Sequence, residues 1–183
     1  MKQLSCYLLA AATGMGTLGC KGKETEPAIK LELTSPAFAD GETIPKEYTA
    51  DGANRSPSLS WSSSAPPPGT QSFVVICDDP DAPGKTWVHW VVFDLPPNLR
   101  GLDGGLPTDA VLSSGAKQGA NDFGNLGYGG PDPPSGKPHR YVFTLYAVDT
   151  MLNLPPGATK DAVSAAMKGH VLAEGKLVGR YGR

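Results

Sequence analysis

The chain has 183 residues, 39% of them hydrophobic and 19% charged, which suits a single domain with a packed core. Sixteen Lys and Arg against eighteen Asp and Glu give a net charge of -2, without the basic stripe of a general nucleic-acid binder. Gly (23) and Pro (18) are frequent but below the level that signals disorder, and the composition excludes long coiled coils, solenoids and multi-span membrane proteins.

Residues 1–19 have the layout of an export signal. A short positive start (Met1-Lys2-Gln3) leads into an apolar run from Leu4, and small residues then lead to Thr17-Leu18-Gly19-Cys20. Cys20 after Gly19 resembles a bacterial lipobox, which makes Cys20 the expected lipidation site and residues 20–27 a polar tether. The expected location is therefore the cell envelope, membrane-anchored, with periplasm or secretion as the alternative. A lipidated Cys20 leaves Cys77 without a disulfide partner, and its apolar surroundings mark it as a small buried hydrophobe.

Residues 28–183 form the expected domain. Ile29-Lys30-Leu31-Glu32-Leu33 alternates as a half-buried strand does. A polar stretch with Asp40-Gly41 and Asp51-Gly52 turns follows, then a short strand over 58–61 and a break at Pro66-Pro67-Pro68-Gly69. Residues 71–78, 87–95 and 140–149 are rich in Val, Ile, Phe and Trp, as central strands are. Residues 96–139 read as one long irregular region, of a length that is more often functional than not. The spacing predicts a helix over 159–173, capped by Thr159 and split near Gly169, followed by a closing strand over 176–181. This order lacks the regular alternation of a parallel doubly wound sheet, so a mainly-β domain with one or two short late helices is expected.

Three short matches are dismissed. Asp122-Phe123-Gly124 stands without the other kinase motifs, and residues 130–137 have the wrong spacing for a phosphate loop. Asn54-Arg55-Ser56 is a glycosylation sequon followed by proline in a chain with a bacterial-type signal.

Two clusters remain. Asp78-Asp79-Pro80-Asp81-Ala82-Pro83 ends one strand and Trp87-Val88-His89-Trp90 opens the next. Tyr128-Gly129-Gly130-Pro131-Asp132-Pro133-Pro134 precedes His139-Arg140-Tyr141, which opens another. Period two places Trp87, His89, Val91 and Phe93 on one face, and His139, Tyr141, Phe143 and Leu145 on one face. If the strands are neighbours, both imidazoles and Tyr141 converge at one sheet edge. Two imidazoles, a phenol and glycine amides form a donor set for a phosphate or carboxylate oxygen, and prolines stiffen its walls. With imidazoles as donors, anion affinity is expected to fall as pH rises through roughly 6 to 8.

The strings DPDAP, WVHW, YGGPDPP and HRYVFTLYAVD resemble the phosphatidylethanolamine-binding protein family, in its bacterial Raf-kinase-inhibitor-like branch. Ser35-Pro36-Ala37-Phe38, Ile44-Pro45-Lys46-Glu47-Tyr48, the segment from Asp51 to Pro57 and the ending from Leu177 to Arg183 fit as well. The resemblance implies a central antiparallel sheet packed with a smaller sheet, and a shallow anion pocket at one end. It implies the pocket residues Asp79, Asp81, His89, Gly130, Pro131, Pro133, Pro134, His139 and Tyr141. In relatives the pocket holds phosphate, acetate or phosphorylated headgroups, and bacterial relatives are often dimers. Asp132 places a carboxylate in the proline wall, which lowers anion affinity if it faces the pocket.

The resulting expectation is a non-enzymatic binding protein for a small anion, without metal or cofactor, and a candidate inhibitor or regulator of a protein partner. The alternative is a hydrolase, by metal-assisted or acid/base chemistry, built on Asp79, Asp81, His89 and His139.

Overall fold

A computed structural model describes residues 29–61 and 65–183; the expected export signal, Cys20 and the tether lie outside the described residues. Among the described residues eight strands and one α-helix follow in the order β1 (Ile29–Lys30), β2 (Leu59–Ser60), β3 (Ser72–Asp79), β4 (Trp87–Leu95), β5 (Gly101–Leu102), β6 (Lys117–Gln118), β7 (His139–Val148), α1 (Lys160–Met167) and β8 (Val171–Tyr181), with a 3-10 turn at Lys46–Tyr48.

 Six of the strands form the main sheet in the order β1-β8-β7-β3-β4-β6, and β2 with β5 forms a small second sheet. Every pairing is antiparallel except that of β1 with β8, which is parallel. The domain is mainly β, with a central sheet packed with a smaller one, as expected.

The long strands read as continuous apolar runs because both faces of the sheet are covered. Phe73, Val75 and Cys77 of β3 pack with Phe143, Leu145, Trp61 and Leu59 on the side of the small sheet. Val74 and Ile76 point the other way, to Val163 and Met167 of α1 and to Leu152. Cys77 is 1% exposed, and burial pushes its thiol well up, so it behaves as a small hydrophobe.

Three expectations change. The helix is a single piece: Thr159 caps it, accepting a hydrogen bond from the Ala162 amide at 3.3 Å, but it stops at Met167. Gly169 follows at φ +84°, and Val171 begins β8 instead of continuing an apolar helical stripe. The closing strand is therefore longer than residues 176–181, because pairing with β7 along its length overrides weak helix signals. Residues 96–139 are also not wholly irregular, since β5 and β6 lie within them.

The third change concerns period two in β4. Its register against β3 shifts between Cys77↔Trp90 and Asp78↔Val88, which leaves His89 as an inserted residue. Val91 and Phe93 pack on the helix side, whereas Trp90 and Val92 pack on the other. His89 stacks edge-on against Tyr141 at 5.0 Å, and Tyr141 belongs to the small-sheet side. The bulge thus separates His89 from the face of Val91 and Phe93.

Phe143 is fully buried and meets the Phe38 ring at 5.9 Å. Phe143→Ala is expected to lower stability by about 3–5 kcal/mol, whereas exposed Val171→Ala stays within about 0.5 kcal/mol. Urea denaturation followed by tryptophan fluorescence measures both.

Candidate functional site

The site begins at the end of β3, where alternation sends two adjacent carboxylates to opposite faces. Asp78 faces the helix side and pairs with Lys160 at 2.5 Å, and burial raises its pKa. Asp79 faces the other way and is 3% exposed. One of its oxygens accepts from the Asp81 amide at 2.8 Å and the other from His139 Nδ1 at 2.7 Å.

The strands carrying His89 and His139 are not neighbours, because β3 runs between β4 and β7. Asp79 on β3 bridges that gap. His89 Nδ1 meets the Gly129 carbonyl at 2.6 Å, and the Gly129 amide donates to the His89 carbonyl at 2.9 Å. Because a carbonyl only accepts, Nδ1 carries the proton, and Nε2 of neutral His89 is a lone pair. Burial lowers the His89 pKa below its ordinary 6.5, against the raising effect of the Gly129 carbonyl and of Asp79. Tyr141 moves the other way, since burial and then the charge of Asp79 push its phenol well up.

A cavity of about 250 Å³ opens here, lined by Asp79, Ala82, Pro83, Trp87, His89, Phe123, Asp132, Pro133, Pro134 and His139. The Trp87 Nε1 and Tyr141 hydroxyl are buried without a hydrogen-bond partner among the described residues. Of the residues expected from sequence, Asp79, His89, Pro133, Pro134 and His139 line this cavity. Asp81 does not. It holds Arg140 through the guanidinium at 2.8 and 2.7 Å and through the amide at 2.9 Å, which keeps its carboxyl far below the usual range. Tyr141 lies beneath His89, and the Pro131 carbonyl accepts from the Ala50 amide at 3.0 Å.

The expected glycine amides are already engaged. The Gly130 amide donates to Asn54 Oδ1 at 2.7 Å, and a Cβ at Gly130 would stand 2.6 Å from Asn54 Oδ1 and from the Tyr48 carbonyl. Gly130 is therefore needed for close approach and does not supply a ligand donor.

Sequence reasoning missed three participants. Phe123, dismissed with its motif, sits edge-on to His89 at 5.2 Å and to Trp87 at 5.6 Å. Asn54, dismissed as a sequon, braces the glycine wall. Arg183 takes Asp132 at 2.6 Å, Asp51 at 2.7 and 2.8 Å, and the Pro133 carbonyl at 3.0 Å. Asp132 does line the cavity, but its charge is paired with a guanidinium. Nothing local in the sequence links these residues, which stand dozens of positions apart.

Among the described residues, no group of three or more His, Cys, Asp or Glu is placed to hold a metal ion. A metal-assisted site on Asp79, Asp81, His89 and His139 also lacks Asp81, which is committed to Arg140.

A two-face-covered β-sheet with a polar pocket at the end of its central strands is the class of protein these features define. The profile of the family described as phosphatidylethanolamine-binding protein matches residues 34–182. A protein of Methanothermobacter thermautotrophicus described as a UPF0098 protein is 53% identical over 153 residues, covering 84% of this chain and 99% of that one. The crystal structure of E. coli YbcL, described as a new member of the mammalian PEBP family, matches with TM-score 0.78 and 33% identity, covering 85% of this chain and 99% of its own. LppC of Mycobacterium tuberculosis, described as a candidate lipoprotein, is 35% identical over 191 residues, covering 95% of this chain and 91% of that one. The chain belongs to the phosphatidylethanolamine-binding protein family.

In an NMR titration, His89 is expected to remain the Nδ1–H tautomer at neutral pH and to take its second proton only below about pH 6.5. An Nε2–H tautomer at neutral pH would contradict the Gly129 contact. Gly130→Ala is expected to cost about 1–3 kcal/mol in chemical denaturation, because the atoms it meets include backbone.

Proposed function

We propose that this protein is a non-enzymatic binding protein whose pocket takes a small anionic group, a phosphate or a carboxylate. The observation that carries the reading is the pair of imidazoles at one cavity, each with Nδ1 committed to a protein acceptor. Each therefore presents Nε2, beside the unpartnered Trp87 Nε1 and Tyr141 hydroxyl. Unsatisfied buried donors are costly, and an oxyanion satisfies them.

The lowered His89 pKa decides how such an anion binds. A neutral His89 offers a lone pair, so the ligand must bring a proton or His89 must gain one. Hydrogen phosphate carries its own O–H. Acetate at neutral pH does not, so its hydrogen bond to His89 Nε2 requires proton uptake. The pH window expected from sequence accordingly moves down, with acetate affinity rising as pH falls and rising most steeply below about 6.5.

We further propose that the protein is exported and held at a membrane through lipidated Cys20. The lipobox-like sequence and the description of the mycobacterial relative support this. Among the described residues no helix is long and apolar enough to cross a membrane.

Calorimetry against phosphate and acetate tests the pocket. Saturable binding is expected in the wild type and is expected to be lost in His89→Ala/His139→Ala; unchanged binding in that variant would place the anion elsewhere. Acetate affinity that is flat between pH 5 and 8 would remove His89 from the site. Arg183→Ala frees the Asp132 charge and is expected to weaken phosphate binding roughly three- to tenfold, with Asp132→Asn restoring it.

A further inference from the structure

On the other side of Phe123 and Asp132 lies a second cavity of about 500 Å³, twice the size of the first. The two share both of these residues in their linings. The Phe123 ring is the partition. It is 39% exposed, and it stands against Gly129, where a Cβ would come within 2.6 Å of the ring.

The chemistry of the larger cavity differs from that of the first. Its polar side chains are three amides and the hydroxyls of Thr108 and Tyr128, the latter donating to the Tyr48 carbonyl, and its one lining carboxylate among the described residues is Asp132, already paired with Arg183. Asn54 commits Oδ1 to the Gly130 amide, and both Asn54 and Thr108 are exposed to solvent. Leu126 and Tyr128 add apolar surface beside the Phe123 ring. A cavity without net charge, with solvent-exposed amide and hydroxyl groups of Asn54, Asn125 and Thr108 beside an aromatic ring, suits an uncharged polyol. The hydroxyls of such a group can hydrogen-bond the amides while its C–H face rests on the ring.

We propose that the second cavity is a binding compartment for a hydroxyl-bearing, uncharged group attached to the anion held by the histidines. The ligand class is a phosphate ester of a sugar or other polyol. This inference rests on the anion-pocket reading.

Calorimetry on the full chain compares inorganic phosphate with glucose 1-phosphate. The ester is expected to bind about tenfold more tightly, the effect of one or two added hydrogen bonds and an apolar contact. Leu126→Trp, which fills the cavity, is expected to erase that advantage while leaving phosphate affinity unchanged. Thr108→Val, nearly equal in shape, is expected to reduce it severalfold and keeps the test decisive if the larger substitution does not fold. Equal affinity for ester and phosphate in the wild type would overturn the proposal, as would an advantage that survives both variants. If phosphate itself does not bind the wild type, the anion pocket falls and this compartment falls with it. Glycerophosphoinositol, a diester, distinguishes a lipid headgroup from a free monoester. Its binding above inorganic phosphate upholds the compartment for the headgroup form, and monoester binding alone upholds it for the free form.

Discussion

The buried carboxylate of Asp79 is the contact on which the rest of the site depends. It ends the central strand β3 and stands between two strands that do not touch each other. A charge 3% exposed is tolerable only if its oxygens are satisfied, and here the Asp81 amide and His139 Nδ1 satisfy them. That requirement folds the 79–83 segment back over the strand end. It also fixes which nitrogen of His139 is turned to the cavity.

A second level of order comes from backbone irregularity. The extra residue in β4 turns His89 onto the face occupied by Tyr141, and the 119–134 segment then runs alongside β4 through Gly119, Asp122 and Gly129. The Gly129 carbonyl sets the His89 tautomer, and Gly129 makes room for the Phe123 ring. One glycine therefore serves both the chemistry of the imidazole and the partition between the two cavities. Arg183 completes the wall from outside by joining Asp51, Asp132 and the Pro133 carbonyl. The carboxylate that looks hostile to an anion is thereby largely neutralised.

Much of the site was legible because local rules suffice where the chain is regular. Alternation in β7 places Tyr141, Phe143 and Leu145 on one face, as the cluster of buried residues shows. Apolar runs bounded by Pro and Gly mark β3, β4 and β7 within a residue or two. Alternation fails in β4, because a bulge adds a residue that no periodicity announces. The extent of β8 was also hidden, since Val171, Ala173 and Leu177 suit a strand or a helix until a partner strand is present.

The sequence by itself determined the mainly-β character, the central strands and the two motifs from which the pocket is built, because these follow from residue type and short-range spacing. Tertiary structure alone decided which polar groups remain free. It spends the Gly130 amide on Asn54 and the Asp81 carboxylate on Arg140, and it brings Arg183 to Asp132 across 51 residues of chain. Hydrogen-bond partners are settled by proximity in space, and that proximity arises only when the sheet has assembled.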